Sequence, residues 1–448
     1  MNIPHMTWGI QHQRSKMLRK NIVWSIILKI IGLATSLIIV PITLGYLDNE
    51  TYGIWLTISS ILYWFSFFDI GLGNGMRNYV AKSISEGDYA TGQRFISTTI
   101  IILTGIAIAI GVFSLIPLSF LNFNSVFNTT VLSGSYLHDV FAIAIVFSTV
   151  CFVARTIGII YIAIQKYAIN DLIGVISHVL ALIIIYALTK TTSGSLMYVV
   201  IALTATPVAV YMLAAIPLFI DYPQLRPTWK SYDKSVVKKI ISKGIGFFSI
   251  QITSCLIIFG GSNIVITQFC GPEAVTTYNI AFKYFNLLTI GYTIILAPMW
   301  SAYTDAYTKG DIKWISQTFR RALYIWVLLF IAGVLMLIIS PFFYRIWIGE
   351  SVLIPLSVSA SVLLYVAFFN LNNCVTYLLN GLNIIRVQII TSCVLTAIYL
   401  AGVLVLGNKM GIEGIVLCIA ACYFVMSVIH LYQCRLLIKM RATGIWKL

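Results

Sequence analysis

Charged residues are scarce in this chain. Of its 448 residues only 10% are Asp, Glu, Lys or Arg, while 59% are hydrophobic. A soluble domain carries about 25% charged residues. The core of a soluble protein cannot hide this much apolar surface, but a lipid bilayer can. The composition therefore argues against an ordinary soluble domain and indicates an all-α integral membrane protein.

The sequence also lacks the common motifs of enzymes and metalloproteins. It contains no Cys-x-x-Cys, no Cys/His metal spacing, no Gly-x-Ser-x-Gly and no phosphate-binding loop. The run Gly71-x-Gly73-x-Gly75 follows an apolar segment and has the wrong spacing for a dinucleotide loop. We interpret it as a helix end that lets backbones approach closely. We expect no catalytic residue, no metal site and no cofactor.

Long apolar runs dominate what is present. A helix needs about 20 apolar residues to cross the hydrocarbon of a bilayer. Twelve runs meet that need, and the loops between them are too short to hold a soluble domain. The predicted spans are 22–45, 53–75, 95–121, 138–164, 171–189, 196–220, 244–269, 275–303, 321–344, 352–380, 386–406 and 412–434.

The net charge of +15 would suit a nucleic-acid partner, but its distribution argues against one. If the N-terminus is cytoplasmic, the inside-facing segments hold 23 basic residues and the outside loops hold only Lys190, Arg345 and Lys409. This bias is the positive-inside pattern of membrane proteins. It predicts that both termini are cytoplasmic. The basic start, residues 1–20, lacks the features of a cleaved signal peptide.

The chain is expected to consist of two halves. Residues 1–220 hold six spans, a basic cytoplasmic linker follows at 221–243, and residues 244–448 hold six more spans and a cytoplasmic tail. Glu50 and Glu273 are each followed 37 residues later by a Gly-Asp pair, Gly87-Asp88 or Gly310-Asp311. With six spans each, the halves have the same orientation, which predicts a parallel repeat.

Four charged residues lie in the interior of the predicted spans, away from the span ends: Lys29, Asp69, Arg155 and Lys283. At about 1.5 Å per residue, Lys29 and Asp69 lie roughly 12–14 Å from the inner surface. They could neutralise each other as an ion pair, or Asp69 could bind a coupling ion. Arg155 and Lys283 fall near the midplane, where a charge needs a partner or water. A cationic cavity would bind an anionic substrate, and local pairing is the alternative.

A family resemblance adds to this pattern. The run Phe68-Asp69-Ile70-Gly71-Leu72-Gly73-Asn74-Gly75-Met76-Arg77-Asn78, the later Glu86-Gly87-Asp88 and the early Pro41-x-x-Leu44-Gly45 resemble bacterial polysaccharide and O-antigen flippases. These form the polysaccharide transporter family of the multidrug/oligosaccharidyl-lipid/polysaccharide exporter superfamily. The resemblance implies two six-helix bundles around a central cavity that opens alternately, with proton or sodium coupling.

The implied activity is transport of an undecaprenyl-pyrophosphate-linked sugar unit across the bacterial cytoplasmic membrane, for O-antigen or capsule synthesis. Partners would be that lipid-linked glycan, membrane lipids, and polymerase and chain-length proteins of the pathway. One chain holds both halves, so a monomer suffices. Arg155, Lys283 and Lys29 would line the cationic cavity, and Asp69 would serve in coupling or pairing.

Two other functions compete with this one. A cation-coupled drug exporter of the same superfamily would need acidic groups inside, and only Asp69 lies within a span against three basic residues. A membrane polysaccharide polymerase or ligase would need a catalytic constellation and a large outside loop to hold the polymer. The longest outside loop, residues 122–137, is short. The sequence thus favours a transporter over an enzyme.

Overall fold

The computed structural model describes residues 5–65, 72–237 and 261–447, and all regular elements in these ranges are helical. The first half contains α1 (His5–Tyr46), α2 (Asn49–Tyr63), α3 (Leu72–Ser85), α4 (Tyr89–Leu115), α5 (Phe123–Phe127), α6 (Gly134–Ala154), α7 (Thr156–Ala163), α8 (Tyr167–Thr191) and α9 (Leu196–Asp221). The second half contains α10 (Gly261–Cys270), α11 (Pro272–Thr308), α12 (Ile312–Ile348), α13 (Leu356–Gly381) and α14 (Arg386–Ile438).

Nine helices in the described ranges are long and apolar enough to cross a membrane. They account for ten of the twelve predicted spans, because α14 contains the last two. Its two arms meet at Gly411, whose φ of 59° and ψ of −134° interrupt the helix. The second and seventh predicted spans run into residues 66–71 and 238–260, which lie outside the described ranges.

The chain forms two compact units. One comprises residues 1–48, 62–124 and 130–248, and the other comprises 49–61, 125–129 and 249–448. Most of α2 therefore groups with helices from the second half of the sequence. The predicted linker is described up to residue 237, and its junction with the second half lies outside the described residues.

Each unit has its own apolar core. In the first, α1 packs on α8, α6 on α9 and α3 on α4, around fully buried side chains such as Met76, Ile96 and Ile160. In the second, α13 packs against α11, α12 and α14, around Tyr292, Leu296 and Val375. The central position of α13 explains why much of its surface is buried.

The sequence repeat reappears as two matching turns. Gly87 and Gly310 have φ values of 75° and 73°, in the left-handed region that glycine adopts readily. The following residues, Asp88 and Asp311, each cap a long helix by accepting a hydrogen bond from the backbone N–H three residues on, at 3.0 and 2.9 Å. Such caps satisfy N–H groups that a helix start leaves free.

A second turn also repeats. Gln165 and Asn383 have φ values of 64° and 58°, and the residues after them donate backbone hydrogen bonds to the carbonyls of Tyr161 and Leu379. These turns end α7 and α13 and precede α8 and α14. The helices therefore follow one another in the same order in both halves, as a parallel repeat requires.

Large apolar side chains cover much of the outer surface. Phe120, Ile220 and Ile338 are 85%, 72% and 70% exposed. They lie at or within helices of membrane-spanning length. A soluble protein rarely exposes a contiguous apolar surface of this kind, whereas a bilayer solvates it. The protein is therefore a multi-pass membrane protein.

Candidate functional site

Arg155 lies where the fourth predicted span is interrupted, between α6 and α7. Its backbone N–H donates to the Cys151 carbonyl at 2.9 Å and its carbonyl accepts from the Ile159 N–H at 3.3 Å, so helical hydrogen bonds continue across this point. Its exposed guanidinium lies close to Cys151 and Tyr211. Ten residues separate Arg155 from the turn at Gln165, or about 15 Å along a helix, and its position near the midplane of the membrane stays a prediction.

Side chains pack closely around the start of α7, next to Arg155. A Cβ on Gly158 would overlap the side-chain oxygen of Asn170 on α8 and come within 3.2 Å of the Tyr211 ring on α9. The next residue after Arg155, Thr156, is buried, and its hydroxyl has no hydrogen-bond partner among the described residues. Side chains of α8 and α9 therefore pack closely against the start of α7, next to Arg155.

Lys283 lies in the middle of α11 and is half-buried. One turn earlier, Asn279 donates to the Asn263 side chain at 2.9 Å, and Asn263 donates to the Leu56 carbonyl at 3.1 Å. Nearby on the same helices, the hydroxyls of Thr57 and Thr267 are 2.7 Å apart. Lys283 therefore lies one helical turn beyond a polar strip that joins α2, α10 and α11 within the second unit.

Sequence reasoning did not identify this polar strip. Its members come from separate segments of the chain, and Thr57 and Thr267 are 210 residues apart. A listing of amide and hydroxyl residues within the predicted spans would have selected Asn263 and Asn279. It would not have paired them with α2, because helix pairing between distant segments leaves no local periodicity.

Stacked aromatic rings brace the α11 turn that carries Lys283. The ring of Phe282 stacks on Tyr278 at 5.8 Å and on Tyr365 at 5.7 Å between centroids. Tyr365 in turn stacks on Tyr423 at 5.8 Å. Such pairs add to the stability that burial provides. The backbone of Lys283 is thus anchored to α13 and the second arm of α14.

The predicted pair of Lys29 and Asp69 is only half described. Lys29 is exposed on α1 and forms no ion pair with a described carboxylate. Asp69 lies within 66–71, outside the described residues. The ion pair and the coupling role of Asp69 both stay predictions.

The burial of His430 on α14 is explained by the hydrogen-bonding neighbours of its ring. It is fully buried, and its ring nitrogens lie 3.0 Å from the Thr391 hydroxyl and 3.1 Å from the Asn372 side-chain oxygen. These contacts tie both arms of α14 to α13, as a hydrogen-bonded packing residue would. In the described ranges no group of three His, Cys, Asp or Glu side chains could hold a metal ion.

Two helical units of matching order and an apolar outer surface define an all-α, multi-pass membrane protein. A family model described as "Polysaccharide biosynthesis protein" matches residues 18–303. This chain belongs to that family.

Named relatives agree with this assignment. A Salmonella typhi protein named as an O-antigen transporter is 23% identical over 290 residues, which cover 63% of each chain. A Yersinia pseudotuberculosis protein named as an O-antigen export protein is 23% identical over 279 residues, or 60% of this chain and 61% of the relative. The matches thus span about three-fifths of the length of these curated relatives.

Solved structures confirm the fold. An inward-facing multidrug resistance transporter of the MATE family and MOP superfamily matches with a TM-score of 0.78 and 14% identity, covering 93% of this chain and 98% of that one. A MOP superfamily transporter from Pyrococcus furiosus, described as having a binding pocket of reversed polarity, matches at 0.63 with 15% identity, covering 95% and 97%. The predicted all-α membrane architecture with two bundles is confirmed.

Proposed function

We propose that this protein moves an undecaprenyl-pyrophosphate-linked oligosaccharide from the inner to the outer leaflet of the bacterial cytoplasmic membrane. The product would supply O-antigen or capsule synthesis. The match of residues 18–303 to the polysaccharide biosynthesis family carries this proposal, and the O-antigen names of two relatives support it. No bond of the substrate is made or broken in this step, so the protein is a transporter and not an enzyme.

Charge is the main physical argument for the substrate. Away from the span ends, the predicted spans contain the basic residues Lys29, Arg155 and Lys283 and the acidic residue Asp69. A pyrophosphate is anionic, and a planar guanidinium matches phosphate oxygens in geometry as well as in charge. Arg155 and Lys283 would each contact the headgroup during its passage, in an alternating-access cycle driven by an ion gradient, with Asp69 as the coupling or pairing residue.

The proposed transporter also has an expected membrane orientation and expected partners. Both termini would be cytoplasmic, because the basic residues are concentrated in the segments on that side. A single chain would suffice for transport, since it carries both bundles. The polymerase and chain-length proteins that use the transported unit would act next in the pathway.

The test is complementation of a deletion strain with Arg155→Ala, Lys283→Ala and the double variant. If the cations neutralise the headgroup, the double variant should abolish surface polysaccharide while the completed lipid-linked unit accumulates inside. Surface polymer is measured by gel staining, and lipid-linked glycan by mass spectrometry of membrane extracts. Immunoblots confirm equal amounts of each variant.

Charge-conserving variants separate a functional role from a structural one. Arg155→Lys and Lys283→Arg should retain at least part of the transport. Lys190→Ala is the matched control, because it removes a cation that lies over the Tyr186 ring at the end of α8. Full surface polymer in the Arg155/Lys283 double variant would refute their assignment.

A drug exporter is the second candidate, because the solved structures of matching fold include multidrug resistance transporters. Drug sensitivity of the deletion strain distinguishes the two functions. Normal surface polymer with increased sensitivity to cationic drugs would replace the flippase proposal. Unpolymerised single units at the surface would instead indicate a polymerase.

A further inference from the structure

A basic groove lies at one end of the second unit. It has a volume of about 470 Å³ and is formed by the first turns of α12 and by Ile438 at the end of α14. Its polar lining comprises three cations and three hydrogen-bonding side chains: Lys313, Arg320, Arg321, Ser316, Gln317 and Tyr324. All of these residues are remote in sequence from Lys29, Asp69, Arg155 and Lys283.

The polar lining of the groove lies on the face of α12 that points away from the core of the second unit. Lys313, Gln317, Arg320 and Tyr324 are spaced by four, three and four residues, which places them on one face of a helix. Ile315, Phe319 and Ala322 occupy the opposite side and are buried in the core of the unit. The Asp311 cap on Trp314 fixes where the helix begins.

The positive charge of the groove is not neutralised within the described part of the chain. Lys313, Arg320 and Arg321 form no ion pair there. The two nearest carboxylates in the sequence are engaged elsewhere, since Asp305 pairs with Lys309 at 2.7 Å and Asp311 caps the helix. Three uncompensated cations at one place attract an anion, and arginine side chains bind phosphate oxygens through paired N–H groups.

The same helix face continues as an apolar strip. Beyond Tyr324 the four-and-three spacing reaches Leu328, Ile331 and Leu335, which are 64%, 52% and 57% exposed. It then reaches Ile338 and Phe342, both also exposed. Tyr324 stands at the junction, as aromatic residues do at membrane interfaces. A polar groove for a headgroup thus leads directly into a surface for an acyl chain.

We propose that this groove binds the phosphate headgroup of an anionic membrane phospholipid, with one acyl chain lying along the Leu328–Phe342 strip. Basic pockets between membrane helices bind such headgroups. By the charge bias of the loops, the lipid belongs to the cytoplasmic leaflet. The groove shares no residue with the proposed transport site, and its lipid binding does not depend on which substrate is transported.

The test uses the full chain, purified in detergent and titrated with phosphatidylglycerol or phosphatidylcholine under native mass spectrometry. The groove variant is Lys313→Ala/Arg320→Ala/Arg321→Ala. Arg226→Ala/Lys230→Ala/Lys234→Ala is the matched control, because it removes three exposed cations of the first unit. Each basic side chain near an anionic lipid contributes about fivefold in affinity.

The groove variant should therefore bind phosphatidylglycerol on the order of 100-fold more weakly, while the control and wild type bind it alike and prefer it to phosphatidylcholine. Equal losses in both variants, or no preference in the wild type, would overturn the proposal. A competition with inorganic phosphate separates the two sources of the anion, since displacement at equal concentration would assign the groove to a free ion. If the triple variant aggregates, Arg320→Gln alone should weaken binding about fivefold.

Discussion

A single glycine sets how closely two helices of the second unit approach. Gly53 on α2 faces the start of α11, and a Cβ at this position would overlap the carbonyl oxygen of Pro272. Backbone atoms cannot move aside as a flexible side chain can. The contact also sits beside the hydrogen bond from Thr276 to the Asn49 carbonyl, at 2.8 Å, so any displacement would disturb a second link between the same helices.

Gly53→Ala should therefore destabilise the protein by about 1–3 kcal/mol, the usual cost of forcing extra volume into a packed site. The measurement is thermal unfolding in detergent, followed by size-exclusion elution of a fluorescent fusion. Gly45→Ala is the control, because a Cβ at Gly45 meets nothing within 4 Å. It should leave the midpoint unchanged or raise it, since alanine favours a helix by up to about 1 kcal/mol over glycine. Equal midpoints for the two variants would show that the α2–α11 contact adapts freely.

The sequence alone identified Arg155 and Lys283 as cations within the predicted spans. It did not predict which residues surround them. Their depth follows from counting along a helix. The boundary between α6 and α7 at Arg155 could not be predicted, because neither Pro nor Gly stands there and the residue keeps helical φ and ψ values of −55° and −22°. The polar strip before Lys283 depends on α2, more than 200 residues away in sequence, and only the folded chain brings the two together.

At the scale of elements, apolar runs predicted helices well because a bilayer requires long, internally bonded segments. Boundaries moved where turns are made by special backbone conformations. The predicted span 275–303 is part of the longer α11, which extends to Thr308 and stops at Gly310. The Gly-Asp turn accounts for the repeat seen in the sequence, since one residue supplies the left-handed φ and the next supplies the helix cap.

The two caps permit a matched prediction. Asp311→Ala should lower stability by about 1 kcal/mol because the Trp314 N–H loses its acceptor, while Asp311→Asn should retain most of it. Asp88→Ala should act in the same direction at the start of α4. Thermal midpoints of these three variants and of the wild type measure this. No difference between the Ala and Asn variants would mean that the caps add nothing to stability.

The Asp88 cap should also depend on pH. Hydrogen bonds from the Thr91 side chain and backbone, with a smaller contribution from Arg94, hold the pKa of this carboxyl below its ordinary 3.8. A group with a lowered pKa in the folded state contributes stability above its unfolded pKa and loses it as pH falls through the folded value. The midpoint difference between wild type and Asp88→Ala should thus be constant near neutral pH and shrink below about pH 4. A difference that grows in acid would contradict this.

At the scale of the whole molecule, the asymmetry of basic residues predicts orientation. The turn between α8 and α9, residues 192–195, carries no charge. The segment after α9 carries Arg226, Lys230 and Lys234, all exposed. Because α9 is 26 residues long, these two connections lie on opposite sides of a bilayer. Basic segments are retained in the cytoplasm, so the turn at 192–195 should face outward.

Reporter fusions test this orientation. Alkaline phosphatase, which is active only outside the cytoplasm, should be active when fused after Thr192 and inactive when fused after Lys234 or at the C-terminus. A fluorescent protein that folds only in the cytoplasm should give the opposite pattern at the same three positions. Phosphatase activity after Lys234 in the unaltered chain would reverse the topology and would place the α12–α14 groove in the outer leaflet.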